Sequence, residues 1–263
     1  MNTQNNKDAL AELEFQLLSI SAHETCSSIE IYQRYLQFAL NADRITWCAF
    51  YRGPFGRSAW YTQVMDDWKV FEIKFPIGFN LDLDEVKAKF YAKARKEGGL
   101  GEGIKSMVKA AGVTRAQSVE DSMPYEEWEQ HWEYQLWQKQ GIEDRMSGAF
   151  VLSPISESHV WIDRDLGKPR FDRQDKEKLI SIMNKFPRLQ YWWMLERGLV
   201  EPAIHPLSPR EKEVLKLLLH PISEAQIAEQ LELAKGTVHN YITGLFKLYQ
   251  VSSRHELIQL WLK

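Results

Sequence analysis

The chain has little sulfur to spare for chemistry: its two cysteines, Cys26 and Cys48, stand without metal-ligand spacing in 263 residues. No apolar run approaches the ~18 residues a membrane helix needs. The stretch Met1 to Ile20 carries acids and lacks the basic start of a secretory signal, so the expectation is a cytoplasmic protein with no membrane partner. Catalytic patterns are also missing. Gly-x-Ser-x-Gly and His-Glu-x-x-His do not occur, His23, His131 and His159 have no helix-spaced ligand partners, and Cys48 has no local base to activate it. No enzyme, cofactor or metal is expected. Gly98 to Gly103 lacks the Lys-Ser/Thr ending of a phosphate loop and reads as a connection between helices.

What the chain does have is concentrated near its C-terminus. Ser208, followed by Pro209 and Glu211, spells a capping box with Pro at the first helical position. Ser223 with Gln226, and Ser253 with Glu256, repeat the pattern. Val214, Leu215 and Leu218, then Ile227, Ala228 and Leu231, then Leu257, Ile258 and Trp261 give each predicted helix one apolar stripe. A further helix, Thr237 to Tyr249, sends Val238, Ile242, Leu245 and Leu248 inward, while His239, Asn240, Thr243 and Lys247 fall largely on the other side. Short polar groups at the front of such a helix suit contact with base edges in the major groove, and Glu232-Leu233-Ala234 has about the length of the intervening turn.

With those residues in place, Pro206 to Lys263 resembles the LuxR/GerE-type helix-turn-helix domain of bacterial transcription regulators. The resemblance implies a four-helix module in which Ser208–Leu219 is scaffold, Ser223–Leu231 positions and Lys235–Tyr249 reads DNA. It implies DNA contacts at Lys235, Thr237, Val238, His239, Asn240, Tyr241, Thr243 and Lys247. Ser253–Leu262 would pair subunits, with Leu257, Leu260 and Trp261 as the dimerisation candidates. The implied partners are double-stranded DNA, a second copy of the chain and RNA polymerase.

The chain departs from the family pattern at informative places. Pro221 stands after His220 where the family ends its first helix with Gly, and Pro cannot take the left-handed conformation, so that turn must be built differently. Ala234 replaces a capping residue, so the reading helix is expected to start uncapped. Glu224, Ala225 and His239 stand where the family usually has Asn or basic side chains, which removes phosphate contacts. From His205 onward seven Lys and Arg face six Glu, a net of +1, where a DNA module usually shows a clearer basic footprint. Four of the seven histidines lie in the same segment; they read as scattered, solvated residues ahead of a pH sensor. A rival reading is an interaction module that keeps the helical fold without binding DNA.

Before His205 the balance is 26 basic to 30 acidic residues. The nucleic-acid surface is therefore not there. Leu10, Leu13, Leu17 and Ile20 mark one amphipathic helix, and Ile29, Tyr32, Leu36 and Leu40 a second. Strands are predicted at Arg44–Tyr51, Ser58–Val64 and Lys69–Phe75, with a turn at Gly53-Pro54-Phe55-Gly56. Helices follow at Asp84–Lys96, Lys105–Ala111 and Pro124–Gln140, then strands at Met146–Leu152 and His159–Asp163. Asp172 caps a long helix kinked at Pro187, and a linker lies near Val200–Pro206. This order predicts an α+β protein: an antiparallel sheet with packed helices over residues 1–199, a linker at 200–206, and the four-helix reader at 207–263. Trp132–Gln138, Gly141-Ile142-Glu143-Asp144, Phe171–Asp175 and Phe186-Pro187-Arg188-Leu189 are similar to GAF-like (GAF/PAS-type) sensor domains fused to LuxR-type readers.

Nine of the ten tryptophans precede His205. Trp47, Trp60, Trp68 and Trp161 lie on or beside strand candidates, where they would either line a small-molecule cavity or fill a core between sheet and helices. On the predicted Pro124–Gln140 helix, Tyr125, Trp128, Trp132 and Leu136 form one stripe while Tyr134 and Trp137 point the other way. A phosphoacceptor receiver fits poorly, because the opening is helical and no doubly wound strand–helix alternation follows. An acyl-homoserine-lactone receptor remains an alternative, because Trp60, Tyr61, Asp67 and Trp68 resemble the aromatic and acidic lining of such pockets. The reading these features support is a sequence-specific transcription regulator whose sensor-like first part controls its reader.

Overall fold

The computed structural model describes residues 3–21, 24–53, 62–63, 67–74, 76–77 and 101–262, with side chains for all of these except 3–6, 26, 62 and 63. Trp60, Tyr61, most of the predicted Ser58–Val64 strand, the 54–56 turn, the Asp84–Lys96 helix and Gly98–Leu100 lie outside the described residues.

One antiparallel sheet organises the chain. It runs β2 (Thr62–Gln63), β3 (Lys69–Lys74), β1 (Arg44–Tyr51), β6 (Ser156–Asp165), β5 (Ile142–Ser153), β4 (Arg115–Ser118), in that spatial order. β1 occupies the predicted range, and its sequence Arg-Ile-Thr-Trp-Cys-Ala-Phe-Tyr is apolar at nearly every position because both faces of the strand are covered. β4, a four-residue edge strand with the sequence Arg-Ala-Gln-Ser, was not anticipated. It has no apolar alternation of its own and is defined by its pairing to β5.

Helices pack on both faces. On the first, α2 (Thr25–Leu40), α6 (Arg173–Lys185) and α7 (Pro187–Leu195) cover Ile45, Trp47, Ala49, Met146, Val160 and Ile162, and α1 (Thr3–Ser19) lies over α2. Asp172 starts α6 with a reciprocal capping box to Asp175, and Pro187 at the first position of α7 ends the predicted long helix at Phe186. On the second face lie α3 (Glu102–Lys109), α4 (Tyr125–Trp128) and α5 (Trp132–Lys139).

The single helix expected over Pro124–Gln140 is two. His131 breaks it with extended backbone (φ −75°, ψ 146°), and its side chain accepts the Glu133 N–H. The two opposed aromatic stripes thereby fold onto one another: Trp128 and Trp137 meet edge to face at 4.7 Å between centroids, both buried.

Four helices complete the chain: α8 (Pro209–Leu218), α9 (Glu224–Gln230), α10 (Lys235–Leu248) and α11 (Arg254–Gln259). Their apolar stripes close one core of Val214, Leu215, Leu218, Ile227, Val238, Ile242, Leu245, Leu257 and Trp261. That core is continuous with the first-face core through Leu199, Val200, Leu207 and Tyr249. The segment expected as a linker is tied down: Leu207 N–H donates to the Arg197 carbonyl at 3.0 Å, and Ile204 N–H to the Leu248 carbonyl at 3.2 Å. Gly198 makes the turn out of α7 at φ +68°, and a Cβ there would lie 2.6 Å from the His205 carbonyl oxygen, so only glycine fits.

Two buried carboxyls make stability depend on pH. Glu133 accepts the Glu102 N–H at the start of α3, at 2.9 Å, and its carboxyl fills the place a side chain at Gly101 would take. Burial pushes the Glu133 pKa up to about 7 and that of Asp144 up to about 6, against the N–H groups that lower them. A raised carboxyl pKa means that ionisation is costlier in the folded chain. Stability should therefore fall as pH rises from the unfolded carboxyl range through those values. Glu133→Gln is expected to leave stability near that of wild type at pH 5 and to raise it by roughly 1–3 kcal/mol at pH 8, with a higher melting temperature there. Equal wild-type and variant curves across that range in thermal denaturation would contradict this assignment.

Candidate nucleic-acid interface

α10 separates its residues as a reading helix must. Val238, Ile242, Leu245 and Leu248 are buried, while Lys235, Thr237, His239, Asn240, Thr243 and Lys247 are exposed and Tyr241 is half-buried. Thr237, Asn240 and Thr243 follow at intervals of three, so they share one outward surface. Gly236 and Gly244 add no side chain to it. Val238, counted among the DNA contacts by family position, is 0 % exposed and belongs to the core. It holds the helix and touches nothing outside.

The local chemistry explains how that surface is presented. α9 starts with the full Ser223/Gln226 capping box, and Glu232 at φ +53° turns the chain toward α10. α10 begins at Ala234 with no side-chain cap, as expected, leaving its first N–H groups open. His239 Nδ1 stands 3.3 Å from Glu224 Oε2, so a carboxylate accompanies the front of the helix.

The weak basic footprint has a structural cause. Arg254 is not a surface charge: its guanidinium donates to the carbonyls of Leu218 (2.8 Å), His220 and Ile222. Those groups lie at the end of α8 and in the turn after it, where Pro221 stands in place of glycine, so an arginine from α11 caps the helix from outside. Arg210 pairs with Glu213, and Lys212 with Glu72 of β3. Lys235 and Lys247, at the two ends of α10, have no carboxylate partner among the described residues and bracket the reading surface.

Two sets of expected site residues are placed differently. Leu257, Leu260 and Trp261 are at 0, 6 and 0 % exposure. They are covered within one chain, so any pairing surface on and just after α11 consists of its outward residues His255, Glu256, Gln259 and Leu262. Of the four candidate tryptophans, the three that are described do not share one face. Trp47 faces α7 and meets Trp193 edge to face at 5.9 Å, with its indole N–H on Ser158 Oγ at 2.8 Å. Trp68 and Trp161 lie on the opposite face with Cys48, Phe50, Val70 and Val108. Asp67 is exposed in a left-handed turn.

That second face carries polar groups the sequence did not single out. Arg115 pairs with Glu157 at 2.9 Å, and Glu157 holds His159 Nε2 at 2.8 Å. Although burial opposes it, hydrogen bonds from His159 and Arg115 hold the Glu157 carboxyl down at about 2, while burial lowers the His159 pKa. The His159 ring stacks on Phe50 at 3.9 Å, with Nδ1 buried and without a hydrogen-bond partner among the described residues. Arg145 makes a two-point pair with Asp163 (2.6 and 2.8 Å) between Trp137 and Trp161. Strand alternation could have placed these residues on one face; their cross-strand partners could not be known before the register.

The comparisons agree with the C-terminal assignment. Residues 205–261 match the family model of bacterial regulatory proteins, luxR family. The chain is 41% identical over 54 residues to the transcriptional regulatory protein DesR of Bacillus subtilis (strain 168), covering 20% of this chain and 27% of that protein. It thus spans about a quarter of the length of the curated relative it matches. Among solved structures it is similar to Escherichia coli SdiA (13% identity, 95% of this chain and 93% of that one, TM-score 0.41). It is also similar to SdiA in complex with octanoyl-rac-glycerol (16%, 98% and 94%, TM-score 0.43). A third is the VqsR LBD domain from Pseudomonas aeruginosa (10%, 70% and 94%, TM-score 0.47).

Arg254→Ala leaves three carbonyls without their charged donor and is expected to destabilise the chain by about 3 kcal/mol in urea denaturation. Arg254→Lys, which has no planar fork, should recover less than half of the loss; full recovery by Lys would mean that charge alone matters here.

Proposed function

We propose that this chain, with a luxR-family helix-turn-helix domain at residues 205–261, is a sequence-specific transcription regulator. The supporting observation is the division of α10 into a buried stripe and an outward surface of Thr237, His239, Asn240 and Thr243 flanked by Lys235 and Lys247. The threonines and Asn240 suit base edges, and the lysines suit phosphates on either side of the groove. With two such lysines per reader, binding by one copy is weak, and a dimer doubles the phosphate contacts. In this reading residues 1–199 form the sensory or dimerisation part, 200–206 the connection and 207–263 the reader, with promoter DNA, a second copy of the chain and RNA polymerase as partners.

The reading is tested with the full chain on a site selected from genomic fragments. Asn240→Ala and Thr237→Ala should each cost about 1–3 kcal/mol on that site and relax specificity. Lys247→Ala should weaken binding to all sequences and make the salt dependence shallower by about one unit per reader. Normal affinity in all three folded variants would remove α10 from the interface. Absent or salt-independent binding by the wild-type chain would favour the alternative, a helical interaction module, which the Glu224 carboxylate beside His239 also suits.

For the sensor part, we place a small-molecule effector on the second sheet face, where His159 Nδ1, without a hydrogen-bond partner among the described residues, lies beside the rings of Phe50, Trp68 and Trp161. A metabolite that raises the melting temperature of the wild-type chain is expected to lose that effect in His159→Phe. An undiminished shift in the variant would move the effector elsewhere.

A further inference from the structure

Strand β3, between β2 and β1, breaks strict alternation. Ala49 of β1 pairs with Glu72 and Phe50 pairs with Val70, so Phe71 is an extra residue with no opposite number, a bulge. In a regular strand Val70 and Glu72 would share a face. With the bulge, Val70 and Ile73 both lie in the second-face cluster with Trp68, while Glu72 faces the other way. There its Oε1 accepts from Arg197 Nη2 at 2.8 Å and its Oε2 from Lys212 Nζ at 2.8 Å, with Lys74 Nζ at 3.1 Å.

Those cations come from three places: β3 itself, the segment following α7, and the first helix of the reader. Arg197 is fixed in turn. Its guanidinium lies 4.6 Å from the centroid of the Trp47 ring, its Nη1 donates to the Trp193 carbonyl at 2.7 Å, and its own carbonyl accepts the Leu207 N–H. One carboxylate therefore joins β3, the connection and α8.

We propose that Glu72 is a positioning residue for DNA recognition, a latch through which β3 holds the reader docked with the outward surface of α10 free. The assignment rests on the reading of α10 as the DNA-contacting helix and of the second face as the effector side. Because Val70 and Ile73 sit against that face on either side of the bulge, a displacement of β3 from there moves the carboxylate that carries Lys212 and Arg197.

The test uses the full chain with Glu72→Gln, Lys212→Gln and the double substitution. Lys212 is half-buried rather than a core residue, so its variant keeps the test open if Glu72→Gln folds poorly. Amide hydrogen exchange is read at Ile204 and Leu207, whose N–H groups bond Leu248 and Arg197, in the absence of DNA. Each single substitution should speed exchange there by about tenfold, and the double should add little to either single, as expected for two ends of one interaction. On the selected DNA site, Lys212→Gln should weaken binding with an unchanged salt slope, because its amine serves Glu72 and no phosphate. Unchanged exchange in the single variants, or effects that add in the double, would overturn the latch. A slope that falls by about one in Lys212→Gln would overturn it as well, by placing that lysine on DNA. Exchange decides the latch even if the wild-type chain binds no DNA, a result that would sink the reading of the reader alone.

Discussion

Trp193 has to be dry on every side and still find an acceptor for its indole N–H, and the arrangement that meets both needs fixes the relation between the sheet and everything after it. Its ring packs against Trp47 of β1 and Tyr32 of α2, and its N–H donates to Ser28 Oγ at 2.7 Å. Its carbonyl receives Arg197, and two residues on, the Leu195 carbonyl receives the buried Tyr249 hydroxyl from the end of α10, at 2.6 Å. α7 is thus shared by two cores. A buried aromatic with a satisfied polar edge tolerates little displacement, so the reader inherits its placement from the packing of one short helix.

Much of this architecture was legible in the sequence because the helices announce their own starts. Ser208, Ser223, Ser253 and Asp172 each cap in the structure, and Pro187 divides the long helix where expected. β1 was readable from its run of aromatic and β-branched residues. What escaped depends on tertiary context. β4 is a strand by virtue of its neighbour, and the break at His131 is held by a side chain accepting a backbone N–H, which no periodicity reveals.

The candidate site was legible to a lesser extent, for a specific reason. Family position puts Val238 among the contacts, whereas helical spacing turns it inward with Ile242, Leu245 and Leu248, and the structure follows the spacing. Likewise Leu257, Leu260 and Trp261 look like an apolar pairing stripe until the other helices cover them. Trp47 and Trp161 could have been assigned to opposite faces only once the register set Trp47 against Val160 and Thr46 against Trp161. The Phe71 bulge has no sequence signal at all: without it the parity of β3 would aim Glu72 with Val70.

The guanidinium of Arg254 ends a helix that lies some thirty-odd residues before it in the chain, a separation of 36 residues from Leu218. A glycine cap forms with its own helix, whereas this one arrives late in synthesis. Until residue 254 has emerged and α11 has docked, the carbonyls of Leu218 and Ile222 lack their arginine donor, and that of His220 keeps only the Ile222 N–H. The reader is consequently built to mature as a unit, its first helix completed by its last, and a partly made chain has no finished surface to offer a partner.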